Sequence, residues 1–175
     1  MTLFELVVET LKTDDWSFSI VEPAETVTFG ITLESGQFRC YFFVDDENDC
    51  IQLVSIVPAM APREKFPALC EFICRANYAL PIGSLEIDLT DGEMRYKTSI
   101  SLHDVPANIN MIWNLMYPNF TMVDLYFPAL MKIIYGDVDP ETMMAIVDQQ
   151  LEDEDDEDDD EDDFLNDHFS PHDLN

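Results

Sequence analysis

Positive charge is nearly absent from this sequence: eight Lys and Arg face 37 Asp and Glu across 175 residues, for a formal net charge of −29 at pH 7. Phosphate backbones are bound by clustered Lys and Arg, and here the cations fall singly along the chain, which argues against DNA or RNA as a direct ligand. Glycine is also rare, with five residues, and none of them builds the loop that cradles a nucleotide phosphate. No apolar run approaches the roughly 18 residues that a membrane span needs. The opening stretch, Met1 to Asp15, lacks the basic start and small-residue cleavage site of a signal peptide, so a soluble, cytoplasmic protein is expected. Cysteine is limited to Cys40, Cys50, Cys70 and Cys74, and neither their spacing nor that of His103, His168 and His172 matches a zinc site. Cys70 and Cys74 stand four apart in ALCEFICRA and are expected on the apolar face of a helix as small core residues. No metal and no cofactor are expected.

Acid, by contrast, is abundant and unevenly placed. Glu152 to Asp163 is an unbroken run of Asp and Glu, followed by FLNDHFSPHDLN. Such a run cannot bury enough apolar surface to fold, so residues 152–175 read as a disordered acidic tail and residues 1–151 as one α+β domain. The tail holds 14 of the 37 acids, which leaves 23 against all eight cations in the body. Docking of the tail on that body is disfavoured for want of cations. A basic polypeptide partner is the better counterpart, and salt should weaken the contact.

One stretch fixes its own pairing. In GSLEIDLTDGEMRYKTSISL, Asp91-Gly92 has the residue types of a two-residue hairpin loop, because both tolerate positive φ. That loop sets Glu86 opposite Lys97, Ile87 opposite Tyr96, Asp88 opposite Arg95 and Leu89 opposite Met94, with charges on one face and apolar residues on the other.

Elsewhere the elements follow from local signals. Thr2 and Glu5 form a capping box for a first helix with Leu3, Leu6, Val7 and Leu11 on one face. WSFSIVE, then ETVTFGITLE, then Phe38 to Val44 and Ile51 to Val57 alternate as strands, with Ser35-Gly36 as a turn. The acids of DDENDC, Asp45, Asp46, Glu47 and Asp49, lack the glycine and distal Glu of a calcium loop and read as a solvated hairpin loop. Pro62 opens a second helix. A third helical region begins near Asp104-Val105-Pro106 and should be divided or kinked at Pro118 and Pro128. Asp139-Pro140 starts a last helix leading into the tail. Hairpin-linked strands with helices set apart imply an antiparallel sheet flanked by helices, in the order α-β-β-β(-β)-α-β-β-α.

Arg75 to Thr98 resembles the signature of the YbjN-domain family, in particular its cyanobacterial and plastid-type members. The matching residues are Arg75, Asn77, Tyr78, Gly83, Glu86, Asp88, Gly92, Arg95, Tyr96 and Thr98. Outside this stretch the likeness is in element order, over roughly residues 2–148, and the acidic run lies beyond it. The family is similar in fold to type III secretion chaperones, small α+β proteins that dimerise and hold an extended polypeptide. Its members are described as sensory-transduction regulators. The resemblance therefore implies a type III secretion chaperone-like fold and a regulatory role.

No catalytic constellation is visible, since His103 stands alone and no carboxylate pair is singled out. The expected role is a non-enzymatic protein-interaction or chaperone-like regulatory module that binds a polypeptide partner and forms a homodimer. A small-ligand sensory regulator is the alternative. Arg75 is expected to pair with Glu86 or Asp88 and lock the second helix onto the hairpin. The helical run from Met111 to Tyr135 is apolar nearly all round, more than one sheet face can bury. Its Trp113, Met116, Phe120, Tyr126, Phe127 and Met131 are the interface candidates.

Overall fold

The computed structural model describes residues 1–22 and 26–158. Its elements are α1 (Leu3–Thr13), β1 (Phe18–Val21), β2 (Thr26–Thr32), β3 (Gln37–Asp45), β4 (Cys50–Met60), a single 3-10 turn (Arg63–Lys65), α2 (Phe66–Ala79), β5 (Ser84–Ile87), β6 (Glu93–Ser101), α3 (Ile109–Gly136) and α4 (Pro140–Asp158). The six strands form one antiparallel sheet in the order β1-β2-β3-β4-β6-β5. The α+β class and the antiparallel sheet are as expected. The last helix runs past Leu151 to Asp158, while residues 159–175 of the expected tail lie outside the described residues. No helix among the described residues is long and apolar enough to cross a membrane.

Alternation gives the sheet two unlike faces. Phe38, Cys40 and Phe42 of β3, Ile51, Leu53 and Ser55 of β4, and Met94, Tyr96 and Thr98 of β6 point inward and are buried. All four helices lie on this side. Trp16 packs edge-on against Phe29 at 5.4 Å, Phe120 of α3 closes the same cluster, and Phe72 of α2 meets Tyr126 of α3. The outward residues include Arg39, Tyr41, Phe43, Val54, Ile56, Arg95 and Lys97.

Helix α1 starts as expected: the Glu5 amide donates to Thr2 Oγ1 at 3.1 Å and the Thr2 amide to Glu5 Oε2 at 2.9 Å. The acids after β3 are structural ties. Asp46 accepts from the Leu3 amide at 2.7 Å, and Asp45 binds the Asn48 amide and carboxamide.

Helix α3 departs from expectation at its start and is not divided at its prolines. It begins at Ile109 behind the cap Asn108, because Asp104 adopts φ 57° in a turn. It also runs unbroken for 28 residues through Pro118 and Pro128. Each proline removes one helical N–H bond and costs about 3 kcal/mol. Burial offsets this, since α3 is held on one side by the sheet and on another by Met143, Met144 and Val147 of α4.

A polar chain ties α3 to the sheet. Ser55 Oγ donates to Asn119 Oδ1 at 2.5 Å, and Asn119 Nδ2 donates to Leu53 O at 3.1 Å and Thr98 Oγ1 at 3.2 Å. Thr98 Oγ1 donates in turn to Leu115 O at 2.9 Å. The one Ser55 proton is therefore committed to Asn119, so in the 3.1 Å contact between Cys40 Sγ and Ser55 Oγ the thiol is the donor. Burial pushes the Cys40 thiol up to about 12, with Ser55 opposing, which keeps that proton in place.

Candidate interaction surface

The charged hairpin is present in a different register from the one expected. Glu86 lies opposite Arg95, Leu85 opposite Tyr96 and Ile87 opposite Met94, a shift of two residues from the pairing that a two-residue loop would give. The loop is longer because Asp88 pairs with Glu93 and folds the chain between them. Its carboxylate accepts from the Thr90 amide at 2.7 Å, its carbonyl accepts from the Gly92 amide at 2.7 Å, and its amide donates to the Glu93 carbonyl at 2.8 Å. Gly92, at φ 89°, then rests against the end of β4, where its carbonyl accepts from the Ala61 amide at 2.9 Å.

Several signature residues serve this construction. The Asn77 carboxamide acts as a strand in miniature: its Oδ1 accepts from the Leu85 amide at 2.8 Å and its Nδ2 donates to the Leu85 carbonyl at 2.9 Å. It thereby occupies backbone groups of β5, the edge of the sheet. Tyr96 is buried and its hydroxyl donates to the Ile82 carbonyl at 2.6 Å. Gly83 passes so close that a Cβ there would lie 2.7 Å from that hydroxyl. Arg75 does not reach Glu86 or Asp88. It binds Glu71 one turn earlier, at 2.9 and 3.0 Å, because the two stand i,i+4 on the same exposed side of α2, and it approaches Glu141 of α4 at 4.0 Å.

Glu86 is instead held by Arg95 at 2.7 Å and by Lys97. Burial pushes its carboxyl up, but hydrogen bonds from Lys97 and Arg95, with their charges, outweigh this and leave it below the ordinary 4.5. Asp88 shifts the same way through its bonds to Thr90, as do Asp45 through Asn48, Asp137 through Lys65 and Asp139 through Thr142. Groups with depressed values stabilise the fold above the unfolded pKa and lose that contribution as pH falls through the folded value. The stability advantage of the parent over Glu86→Gln is therefore expected to be flat from neutral pH to about 5.5 and to shrink below about 4.5, as read from paired thermal melts. An advantage that grows on acidification would refute the assignment.

The interface candidates are distributed otherwise than the sequence suggests. Met116, Phe120 and Tyr126 are buried in the chain's own core, and Trp113, Phe127 and Met131 are partly buried against it. Part of the apolar surface of α3 is covered by α4, whose Met143 and Val147 are buried. Cys70 and Cys74 are not core residues either: α2 buries Leu69, Phe72, Ile73 and Ala76, which leaves Cys70 half-buried and Cys74 exposed about a quarter-turn or more away. Tyr78 continues this line at i+4 and is 95% exposed, and Ile82 beyond it is 52% exposed. An apolar strip thus runs along α2 toward β5.

Two other features carry less chemistry. His103 is exposed, with its ring nitrogens 3.4 Å from Asp49 and from Asp104. A surface cleft of about 400 Å³ between α1 and the start of α3 is lined by Met1, Leu6, Glu9, Ala107, Asn108, Ile109 and Asn110, and the Asn108 oxygen in it is spent on capping Met111.

A family model named YbjN and described as "Putative bacterial sensory transduction regulator" matches residues 4–109. No curated protein matches the sequence. Among solved structures, the chain is similar to YbjN from E. coli, with a TM-score of 0.56 at 12% identity over 72% of this chain and 91% of that one. It is also similar to a chain of the ExsC–ExsE complex, with a TM-score of 0.52 at 12% identity over 73% of this chain and 96% of that one. The fold is thus the type III secretion chaperone-like α+β arrangement.

Proposed function

This chain belongs to the YbjN family, and on that premise we propose that it is a non-enzymatic regulator that binds a polypeptide through the strip Cys70, Cys74, Tyr78 and Ile82, in the cytoplasm. The observation that carries this reading is Tyr78. Its signature neighbours Asn77, Gly83 and Tyr96 are consumed in holding α2 to the sheet edge, whereas Tyr78 projects from that rigid platform with 95% of its surface exposed. Tyrosine supplies a large amphipathic contact at low entropic cost, which suits an anchor for a partner chain. That a chain similar in fold comes from the ExsC–ExsE complex supports a protein partner. The ground for a homodimer in the apolar surplus of α3 is reduced by α4, and the α2 strip offers a second copy another seat.

A benzoylphenylalanine placed at position 78 of the full-length chain is expected to photocrosslink in cells to a polypeptide identified by mass spectrometry. The same probe at Tyr135, which is 74% exposed, serves as the comparison. Equal yields at the two positions would overturn the proposal. A crosslink solely to a second copy of the chain would assign the strip to the homodimer and leave it unavailable to another partner. Tyr78→Ala should leave stability within about 0.5 kcal/mol of the parent, as for a surface substitution.

A further inference from the structure

The outward face of the sheet is unlike the rest of the molecule. Pairing register places Arg39 of β3, Ile56 of β4, Arg95 of β6 and Glu86 of β5 in one row across four strands. The next row is Tyr41, Val54, Lys97 and Ser84, and the one after it includes Phe43, Gln52 and Ser99. Three of the eight cations, Arg95 and Lys97 from one strand and Arg39 from another, therefore converge on one surface of a chain whose net charge is −29. Glu86 is the carboxylate among them, and it is already bound by both Arg95 and Lys97. Asp45 and Glu93 lie at the ends of their strands on this side. Arg39 is exposed and has no ion pair among the described residues.

The same surface carries apolar contact area. Tyr41 and Phe43 stack, with ring centroids 6.0 Å apart and an interplanar angle of 20°. Phe43 is 42% exposed, and Val54 is 2% exposed although no helix among the described residues covers this face, shielded in its row by neighbours such as Tyr41 and Lys97. A ligand that fits must combine carboxylates, for Arg39 and the Arg95–Lys97 pair, with aromatic or aliphatic side chains for the Tyr41–Phe43 stack.

We propose that this face is the docking surface for the chain's own C-terminal segment, residues 159–175. That segment has the complementary composition: Asp159 to Asp163 are all acidic, Phe164-Leu165 and Phe169 follow, and Lys and Arg are absent from it. Length permits the path. The described helix ends at Asp158, and 17 further residues reach at most about 60 Å when extended, against layers about 10 Å thick and a six-strand width of about 25 Å. The scarcity of cations does not stand against docking, because the sheet gathers three of them where the apolar surface is.

The test is carbodiimide crosslinking of the full-length chain, which joins a lysine amine to a carboxylate in direct contact, with the joined peptides mapped by mass spectrometry. Lys97 linked to Glu86 is the internal standard. Lys97 is expected to join acids of residues 159–167 in preference to Lys12, Lys65 and Lys132, and the product should fall at least about fivefold at 1 M salt, where screening acts within about 3 Å. Arg39→Glu, on an exposed position, and the pair Phe164→Ser with Phe169→Ser should each reduce it by a similar factor without lowering the melting temperature. Indiscriminate joining of the tail to all four lysines would overturn the proposal, as would yields indifferent to these substitutions. Mixed isotopically light and heavy copies guard the remaining point: Lys97 links that are solely between copies would overturn docking within one chain.

Discussion

Gly92→Ala should lower the melting temperature by about 10 °C, a loss of about 3–5 kcal/mol that makes it among the most damaging single changes available in this protein. Two independent costs meet at this position. Gly92 sits at φ 89°, which L side chains rarely adopt. A Cβ there would also lie 2.2 Å from the Ala61 carbonyl oxygen and 3.2 Å from the Ala61 amide nitrogen, and both are backbone atoms that cannot swing aside. Relief requires moving the hairpin loop off the end of β4, which breaks the Ala61–Gly92 hydrogen bond of 2.9 Å. Gly30→Ala is the control. Its Cβ would meet nothing closer than the Phe38 carbonyl oxygen at 3.9 Å, so stability should be unchanged or rise by about 0.5 kcal/mol. If Gly92→Ala melts within a degree or two of the parent, the docking of the loop against Ala61 is wrong.

Asn119→Ala is expected to cost a similar amount, about 3–4 kcal/mol, through a different route. The side chain is fully buried and stands at the junction of two proton chains, one from Cys40 through Ser55 and one through Thr98 to Leu115. Its removal strands the Ser55 proton and leaves a cavity between α3 and the sheet. Asn119→Asp should be worse than a loss of one bond, because a carboxylate would turn an oxygen toward the Leu53 carbonyl that now receives Nδ2. A double-mutant cycle separates the contributions. With Ser55→Ala in place, Asn119→Ala should cost at least about 1 kcal/mol less than it does alone. Strict additivity in thermal melts would show that Ser55 and Asn119 do not share a proton.

The hairpin shows how far alternation alone can take a sequence. Both the expected register and the observed one leave every side chain on its proper face and place a cation opposite Glu86, because a shift of two residues preserves parity. What decides between them is the Asp88 carboxylate on the Thr90 amide and the seat of Gly92 against Ala61, a contact with a strand over thirty residues earlier in the chain. The strands, the capping box and the antiparallel class were legible because each rests on neighbours in sequence. That helix α3 stays undivided at its prolines was not legible, because their local cost is visible in the sequence whereas the sheet and α4 that offset it are remote.

The candidate surface was legible in part for the same reason. The signature residues are in the sequence, but the division among them is tertiary: Asn77 is spent on Leu85, Arg75 on Glu71, and Tyr78 is left facing solvent. Cys70 and Cys74 carried a misleading signal, since their apolar character suits a core and the turn of α2 relative to the sheet is set by Leu69, Phe72, Ile73 and Ala76. The cationic patch was legible in part: Arg95 and Lys97 share the charged face of the hairpin by alternation, whereas Arg39 joins them through the pairing of β3, β4 and β6.

The strand order has a consequence for how the molecule is made. Strands β2 to β4 each pair with the strand before them, so they can join as they leave the ribosome. The other side of β4 waits for β6, since Cys50 pairs with Ser101 and Met60 with Glu93 across the whole of α2 and β5. Until residues 93–101 are in place, the edge of the nascent sheet is β4, the longest strand, carrying Ile51, Leu53, Val54 and Val57. Synthesis thus passes through an interval in which the stickiest strand of the protein is its outermost one.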